Sequence, residues 1–258
     1  MLTSLQNPLI KQIRQLHQSK GRREQQLFLV EGTHLLEEAC RRDYPLTTVC
    51  YTPEWQEKHK SLCELVSQKA QRIELVSARV IQSLATTINP DGVVAIAPQS
   101  QTNFLKIKTL GIALEKIQDP GNLGTIIRTA TATNIDGLFV SRDSVDLYHP
   151  KVVRASAGEW FNLHKVISKD LKTEVLQLQS QGLQVLATVP NSTINYWEID
   201  LRKPTVIVLG NEGSGISKDL IDLADYSVKI PLSNGVESLN VAISTAIILY
   251  EVQRQRQS

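Results

Sequence analysis

The chain has 258 residues, 41% of them hydrophobic and 21% charged, which is enough to build one large core or two smaller ones without disulfide help. No apolar run approaches the roughly 20 residues that cross a bilayer, and the opening Met1-Leu2-Thr3-Ser4-Leu5-Gln6 lacks a basic-then-apolar leader, so the expected compartment is the cytoplasm. The net charge of +2 identifies no polyanion partner, and Cys40, Cys50 and Cys63 lack the C-x-x-C spacing or nearby histidines of a metal site, so free thiols are expected and no metal.

Taken from the beginning, Leu5, Leu9, Ile10, Ile13 and Leu16 recur at helical spacing over residues 3–20, and Lys20-Gly21-Arg22-Arg23 then breaks the pattern. A helix followed by a basic loop is predicted. Lys11, Arg14, Lys20, Arg22 and Arg23 precede Phe28 with only Glu24 against them, a surplus suited to backbone phosphates, although a solvated helix face explains it equally well. Strands are predicted at Phe28-Leu29-Val30 and near 48–51, 73–76 and 93–96, with helices near 33–42, 54–70 and 78–85. Residues 99–106 are polar and aperiodic and read as a linker, so two domains are expected, 1–98 and 107–258.

The second series predicts strands at 110–115, 136–140, 162–166, 183–188, 205–209 and 227–231, with helices near 122–133, 170–181, 217–222 and 239–254. Runs such as Val206-Ile207-Val208-Leu209 are apolar on both sides, so this half is an α/β fold with a mostly parallel sheet covered by helices on both faces.

Three loops of this half follow strands, where open parallel sheets bind ligands. The first, Gln118 to Arg128, leads into a helix, with Asn122 placed to cap it and Arg128 nearly two turns further on; a capped helix with one surface arginine is the plain alternative. The second, Leu209-Gly210-Asn211-Glu212-Gly213-Ser214-Gly215-Ile216, nearly fits a phosphate-binding P-loop, but Ile216 stands where the lysine is needed, and the spacing is not G-x-G-x-x-G. It therefore presents backbone groups and the Glu212 carboxylate to a ligand that need not be a polyanion. The third, Ile230 to Ser244, opens a long helix, with Ser238 readable as its N-cap and Ser238 and Asn240 both able to orient a substrate oxygen.

Together these loops resemble the three signature motifs of the SPOUT superfamily of methyltransferases, and within it the SpoU or TrmH family of RNA ribose 2′-O-methyltransferases. Asn122 to Arg128 looks like motif one, Leu209 to Gly213 like motif two, and Glu237-Ser238-Leu239-Asn240-Val241-Ala242 like motif three, in the family's order across residues 107–256. Ser4 to Lys11 and Phe28-Leu29-Val30-Glu31-Gly32 more loosely resemble the ribosomal-protein-like RNA-binding domain of the rRNA-modifying branch.

The resemblance implies a C-terminal domain with a deep trefoil knot, a homodimer that completes the active site, and S-adenosylmethionine as cofactor. Leu209, Gly210, Ile230, Leu232, Ser238 and Leu239 would hold that cofactor, while Arg128, Asn122, Glu212, Ser238 and Asn240 would form the catalytic set. The resemblance implies that Arg128 activates the 2′-hydroxyl. It would act as a base only where burial and neighbouring cations disfavoured its charged form, since a guanidinium resists deprotonation. It would otherwise bind the adjacent phosphate and stabilise the developing alkoxide, the physically easier role, with Glu212 a possible ionic partner. Lys11, Arg14, Lys20, Arg22, Arg23 and Arg154 are the candidate contacts to the RNA backbone.

The implied substrate is rRNA, of the 23S type, with tRNA the other possibility. A non-catalytic RNA-binding or ribosome-assembly protein on the same scaffold, and a base-nitrogen methyltransferase of the superfamily, are the competing readings. The intact polar set argues against the former, and the Asn-to-Arg spacing and Ser-Leu-Asn string against the latter. His34, His149 and His164 are dispersed and form no triad, and Trp55, Trp160 and Trp197 read as packing residues.

Overall fold

A computed structural model describes residues 1–100 and 105–257. The chain folds as two compact units, Met1–Gln101 with Asp146–Asn162, and Thr102–Val145 with Leu163–Ser258. The linker expected at 99–106 falls partly on residues 101–104, which lie outside the described residues. Segment 146–162, which sequence order puts in the second half, packs with the first unit.

In chain order the first unit holds α1 (Pro8–Arg14), a 3-10 turn, α2 (Ser19–Gln25), β1 (Leu27–Glu31), α3 (Thr33–Arg41), β2 (Leu46–Tyr51), α4 (Pro53–Lys58), α5 (Lys60–Lys69), β3 (Ala70–Leu75), α6 (Ala78–Leu84) and β4 (Val93–Pro98). The helix expected over 54–70 is two helices, because His59 adopts a non-helical φ of −125° and ψ of 46°. The sheet order is β1-β4-β2-β3, antiparallel except for the β2–β3 pair. Ile10, Ile13 and Leu16 pack with Leu29, Val80, Ile81, Val94 and Ile96 on one side of this sheet.

The basic stretch after residue 18 is helical, which corrects the expected loop. Gly21 makes the tight approach feasible, since a Cβ there would lie 2.1 Å from the Gln15 carbonyl oxygen. Arg22 is turned inward and only 1% exposed. Its Nε donates to Asp146 Oδ2 at 2.8 Å, its Nη2 lies 2.7 Å from the same oxygen, and Nη1 donates to the carbonyls of Leu16 (2.8 Å) and His17 (3.0 Å). Arg22 is therefore committed to the interior of the first unit, against its expected place among exposed contacts to RNA.

Arg154, on α8 (Pro150–Ala155), is likewise committed, with Nη1 3.0 Å from the buried Glu31 carboxylate and donating to Thr86 Oγ1 at 2.6 Å. Lys11, Arg14, Lys20 and Arg23 remain exposed. Replacing Arg22 by alanine would leave Asp146 and two carbonyls without their donor. An expected stability loss of about 3 kcal/mol, read from urea unfolding, follows from breaking a buried pair.

All three cysteines are free and buried. Trp55 and Trp160 are core residues at 1% exposure, but Trp197 is 46% exposed, against the expectation of packing.

The second unit contains β5 (Leu110–Leu114), α7 (Pro120–Ala132), β6 (Gly137–Ser141), β7 (Lys165–Ser168), α9 (Leu171–Ser180), β8 (Gln184–Thr188), β9 (Ile194–Asn195), β10 (Thr205–Leu209), α10 (Lys218–Leu223), β11 (Tyr226–Lys229) and α11 (Val241–Gln257). Among the described residues its seven strands run β7-β6-β5-β10-β8-β11-β9, and the named pairs are all parallel. Strand alternation sends Val206 and Val208 into the core under α9 and α10, while Ile207 and Leu209, equally buried, face the opposite side. The two-sided apolar runs thus carry helices on both faces, as predicted.

The strand order reverses where β5 meets β10. At such a switch point the loops leaving neighbouring strands part in opposite directions and open a crevice at the carboxyl ends.

Candidate active site

Three segments border the crevice beside that switch point, and short backbone distances explain how they are held. The Glu115 N–H donates to the Leu209 carbonyl at 2.9 Å, extending the β5–β10 pairing past the strands. Beyond β10 the chain makes a tight hairpin, in which Asn211 and Gly215 exchange reciprocal backbone hydrogen bonds of 3.0 Å. Asn211 also donates through Nδ2 to the Lys116 carbonyl (2.8 Å) and accepts from the N–H groups of Gly213 and Ser214 (2.9 Å each). It pins the second loop to the first, a role that sequence reading missed; the only signal was a polar side chain between two glycines.

Within α7 the cap is Asp119, whose carboxylate accepts from the Asn122 N–H at 2.9 Å, with Pro120 in the first turn. Asn122 is therefore relieved of the capping role expected of it, and its amide serves the site. Nδ2 of Asn122 donates to Glu212 Oε1 at 3.0 Å, and Oδ1 accepts from Asn240 Nδ2 at 2.9 Å. Asn240 in turn accepts at Oδ1 from the N–H groups of Ala242 (2.9 Å) and Ile243 (3.4 Å), so that it caps α11.

Charge fixes the direction of this relay. A carboxylate can only accept, and helix N–H groups can only donate, so each amide has one orientation that satisfies both neighbours. Glu212, Asn122 and Asn240, one from each loop, are thereby locked together.

Burial alone would raise the Glu212 carboxyl, but hydrogen bonds from the Asn122 amide and the N–H groups of Gln118 and Asp119 outweigh it and hold the group below its usual 4.5. Its contribution to stability is complete above pH 4.5 and is lost as pH falls through the depressed folded value. A Glu212→Gln variant would set its amide N–H groups against donors. Its urea midpoint is expected to drop at pH 7 and to change less than wild type's below pH 4.5.

Beside the relay lies a pocket of about 360 Å³. Leu209, Gly210, Ile230, Leu232, Ser238 and Leu239, the expected cofactor residues, all line it, together with Glu212. Thr188, Val189 and Pro190 at the end of β8 form a further wall. That wall belongs to none of the three loops, so the sequence offered no signal for it beyond a proline after a strand.

The pocket volume lies in the range of small-molecule sites, about 300–1,000 Å³. Its walls combine aliphatic side chains and backbone groups with two carboxylates, Glu212 and Glu237, against one cation, Lys229, a lining that fits a nucleoside whose charge need not be negative.

Arg128 is not among the lining residues. It is exposed on α7, and among the described residues it makes no hydrogen bond or ion pair. Six residues from Asn122 is about 9 Å along the helix and about 240° around it, so the two side chains leave different faces. The expected Glu212–Arg128 ion pair is accordingly absent among the described residues, because Glu212 is satisfied by Asn122 and by backbone N–H groups.

Residues 109–250 match the model of the SpoU rRNA Methylase family, and residues 7–95 match an MRM3-like substrate binding domain. An uncharacterized tRNA/rRNA methyltransferase of Synechocystis is 45% identical over 99% of this chain and 94% of its own. The 23S rRNA (guanosine(2553)-2′-O)-methyltransferase RlmP of Bacillus subtilis is 28% identical over 98% of both chains. Among solved structures, an AdoMet-bound rRNA methyltransferase of Sinorhizobium meliloti superposes with a TM-score of 0.90 at 31% identity, covering 100% of this chain and 98% of that one.

Proposed function

The chain belongs to the SpoU rRNA methylase family, and from that premise we propose that it transfers a methyl group from S-adenosylmethionine to a ribose 2′-hydroxyl of RNA. The observation that carries the reading is the Glu212–Asn122–Asn240 relay on the rim of a nucleoside-sized pocket. Large-subunit rRNA is the favoured substrate, because the resemblance to RlmP, a 23S rRNA enzyme, runs through the N-terminal unit as well.

When bound, S-adenosylmethionine supplies an electrophilic methyl group. The protein supplies position. Backbone groups around Gly210, Ile230 and Leu239 hold the cofactor, with Leu209, Leu232 and Ser238 beside it. Asn122 and Asn240 hold the rim in the geometry that receives the ribose, and alignment of oxygen with the breaking bond is the larger part of the work.

Arg128 supplies the charge that stabilises the developing alkoxide, and it does so in the site of a second copy. An exposed apolar stripe on α11, with Ile243 52% and Tyr250 58% exposed, supports a homodimer. A knotted C-terminal domain over 107–258, an RNA-binding domain over 1–98 and a cytoplasmic location complete the reading. Lys11, Arg14, Lys20 and Arg23 are its phosphate contacts. Among the described residues, no helix is long and apolar enough to cross a membrane.

Two measurements test the reading together. Ribose methylation is mapped in total RNA from cells with and without the gene, and purified protein is given radiolabelled cofactor and unmodified rRNA. One lost 2′-O-methyl mark restored in vitro is expected. No lost mark and no labelling would leave an RNA-binding protein without this activity.

A further inference from the structure

A second cavity, of about 620 Å³, opens at the carboxyl ends of β5, β6 and β7, and it shares no lining residue with the cofactor pocket. Its floor is apolar, formed by Leu171 and Leu220. Every carboxylate on its wall is already engaged. Glu115 accepts from the Ser217 N–H (2.7 Å), Asp143 from Ser141 Oγ (2.6 Å), Asp170 from Thr173 as the cap of α9 (2.6 Å to Oγ1), and Asp219 from Lys172 Nζ (3.1 Å).

What remains uncommitted consists of donors. Arg142 and Lys169 line the cavity, are exposed, and have no partner among the described residues. Ser168, also on the wall, is 2% exposed, and its hydroxyl is buried without a hydrogen-bond partner. It lies on the same strand face as Val166, which packs under α9. A buried hydroxyl left unpaired is unfavourable, and a ligand acceptor would relieve it. Two free cations and a free hydroxyl above an apolar floor suit one phosphate joined to a flat ring.

The cavity and the cofactor pocket are neighbours through two shared loops. Gln118 donates its backbone N–H to Glu212 of the relay (3.3 Å) and its Nε2 to the Asp143 carbonyl at the second cavity (3.0 Å). The hairpin after β10 lines the cofactor pocket up to Gly215, and two residues later Ser217 lines the second cavity.

We propose that this second cavity is a nucleotide subsite, which takes the phosphate and base of an RNA residue neighbouring the one whose ribose is methylated. Arg142 and Lys169 hold the phosphodiester, Ser168 donates to an acceptor on the same nucleotide, and the base lies over Leu171 and Leu220. The inference rests on the reading of the chain as an RNA ribose methyltransferase. It adds a place for substrate outside the three motif loops, built by the strand ends β6 and β7.

The test compares wild type with the double variant Arg142→Ala/Lys169→Ala, whose exposed positions leave the fold intact, as thermal unfolding checks. Binding of a single-stranded RNA trinucleotide is followed by fluorescence anisotropy and by the NMR shifts of the Ser168 and Lys169 amides. Methyl transfer to unmodified rRNA is followed in parallel. In the variant, trinucleotide affinity is expected to fall about 10-fold and KM for rRNA to rise about as much, with kcat within about twofold and cofactor affinity unchanged; losing the one phosphate contact that the two cations share would reduce the salt slope of binding by about 0.7.

Equal trinucleotide binding by both proteins, or an unchanged KM for rRNA, would overturn the subsite and leave methyl transfer standing. So would saturation of the cavity by uridine 5′-monophosphate with no effect on KM, which would mark a site for free nucleotide. Trinucleotide binding that the variant loses, in a protein that methylates no RNA, would keep the subsite and remove the proposed activity.

Discussion

Replacement of Arg128 by alanine is expected to reduce methyl transfer by about 10³-fold while cofactor affinity stays within about twofold, the pattern for loss of a charge that acts mainly on the transition state. The separation follows from placement. Arg128 lines no part of the cofactor pocket and is free of partners among the described residues, so its removal disturbs neither the pocket wall nor the relay. Lysine should restore little, because a point charge does not reproduce the bidentate hold of a guanidinium on phosphate or alkoxide oxygens. Turnover unchanged in Arg128→Ala would remove this residue from the catalytic set.

Mixing experiments test whether the arginine serves a neighbour. Arg128→Ala supplies an intact pocket, and a pocket variant supplies an intact arginine. If each arginine completes the other copy's site, a random 1:1 mixture contains half heterodimers, each with one whole site of two. About a quarter of wild-type activity should then return from two inactive proteins. An arginine acting on its own pocket gives no recovery at all.

The β/α alternation and the three loops were legible because each rests on local chemistry: two-sided apolar runs, glycines beside a strand end, and polar residues at a helix start. What depended on distant partners was not. Arg22 reads as a surface cation until the Asp146 carboxylate, 124 residues away, is known to face it. Asn122 and Asp119 are both good capping residues, and local propensity does not rank them. Only the carboxylate of Glu212 shows that the amide is needed elsewhere, leaving the cap to Asp119. The packing of 146–162 with the first unit was hidden for a related reason, since Tyr148 and Trp160 contact Phe28 across more than a hundred residues of chain, with ring centroids 5.2 and 4.8 Å away. Trp197 failed in the other direction, because an aromatic side chain carries no mark of which face it will show.

Gly210 offers the sharpest test of the cofactor pocket, and Gly210→Ala is expected to weaken S-adenosylmethionine binding by about 100-fold, or about 2.7 kcal/mol. The reason is space. A Cβ on Gly210 would lie 2.3 Å from both the carbonyl carbon and oxygen of Gly215 and 2.4 Å from the Ile216 nitrogen, all backbone atoms that no rotamer change can move aside. The Asn211–Gly215 hairpin must open to admit it, and Asn211 then loses its hold on Lys116 while Glu212 shifts from Asn122. One methyl group would thus disturb the pocket wall and the relay together, so kcat should fall along with affinity. Gly213→Ala, on the same pocket wall, is the comparison, because among protein atoms a Cβ at that position meets only Asn211 Oδ1 at 3.5 Å, an ordinary contact that leaves the hairpin closed. Calorimetric titration of both variants separates the cases: near-normal affinity is expected for Gly213→Ala, and normal affinity in Gly210→Ala would mean that the cofactor does not depend on this hairpin.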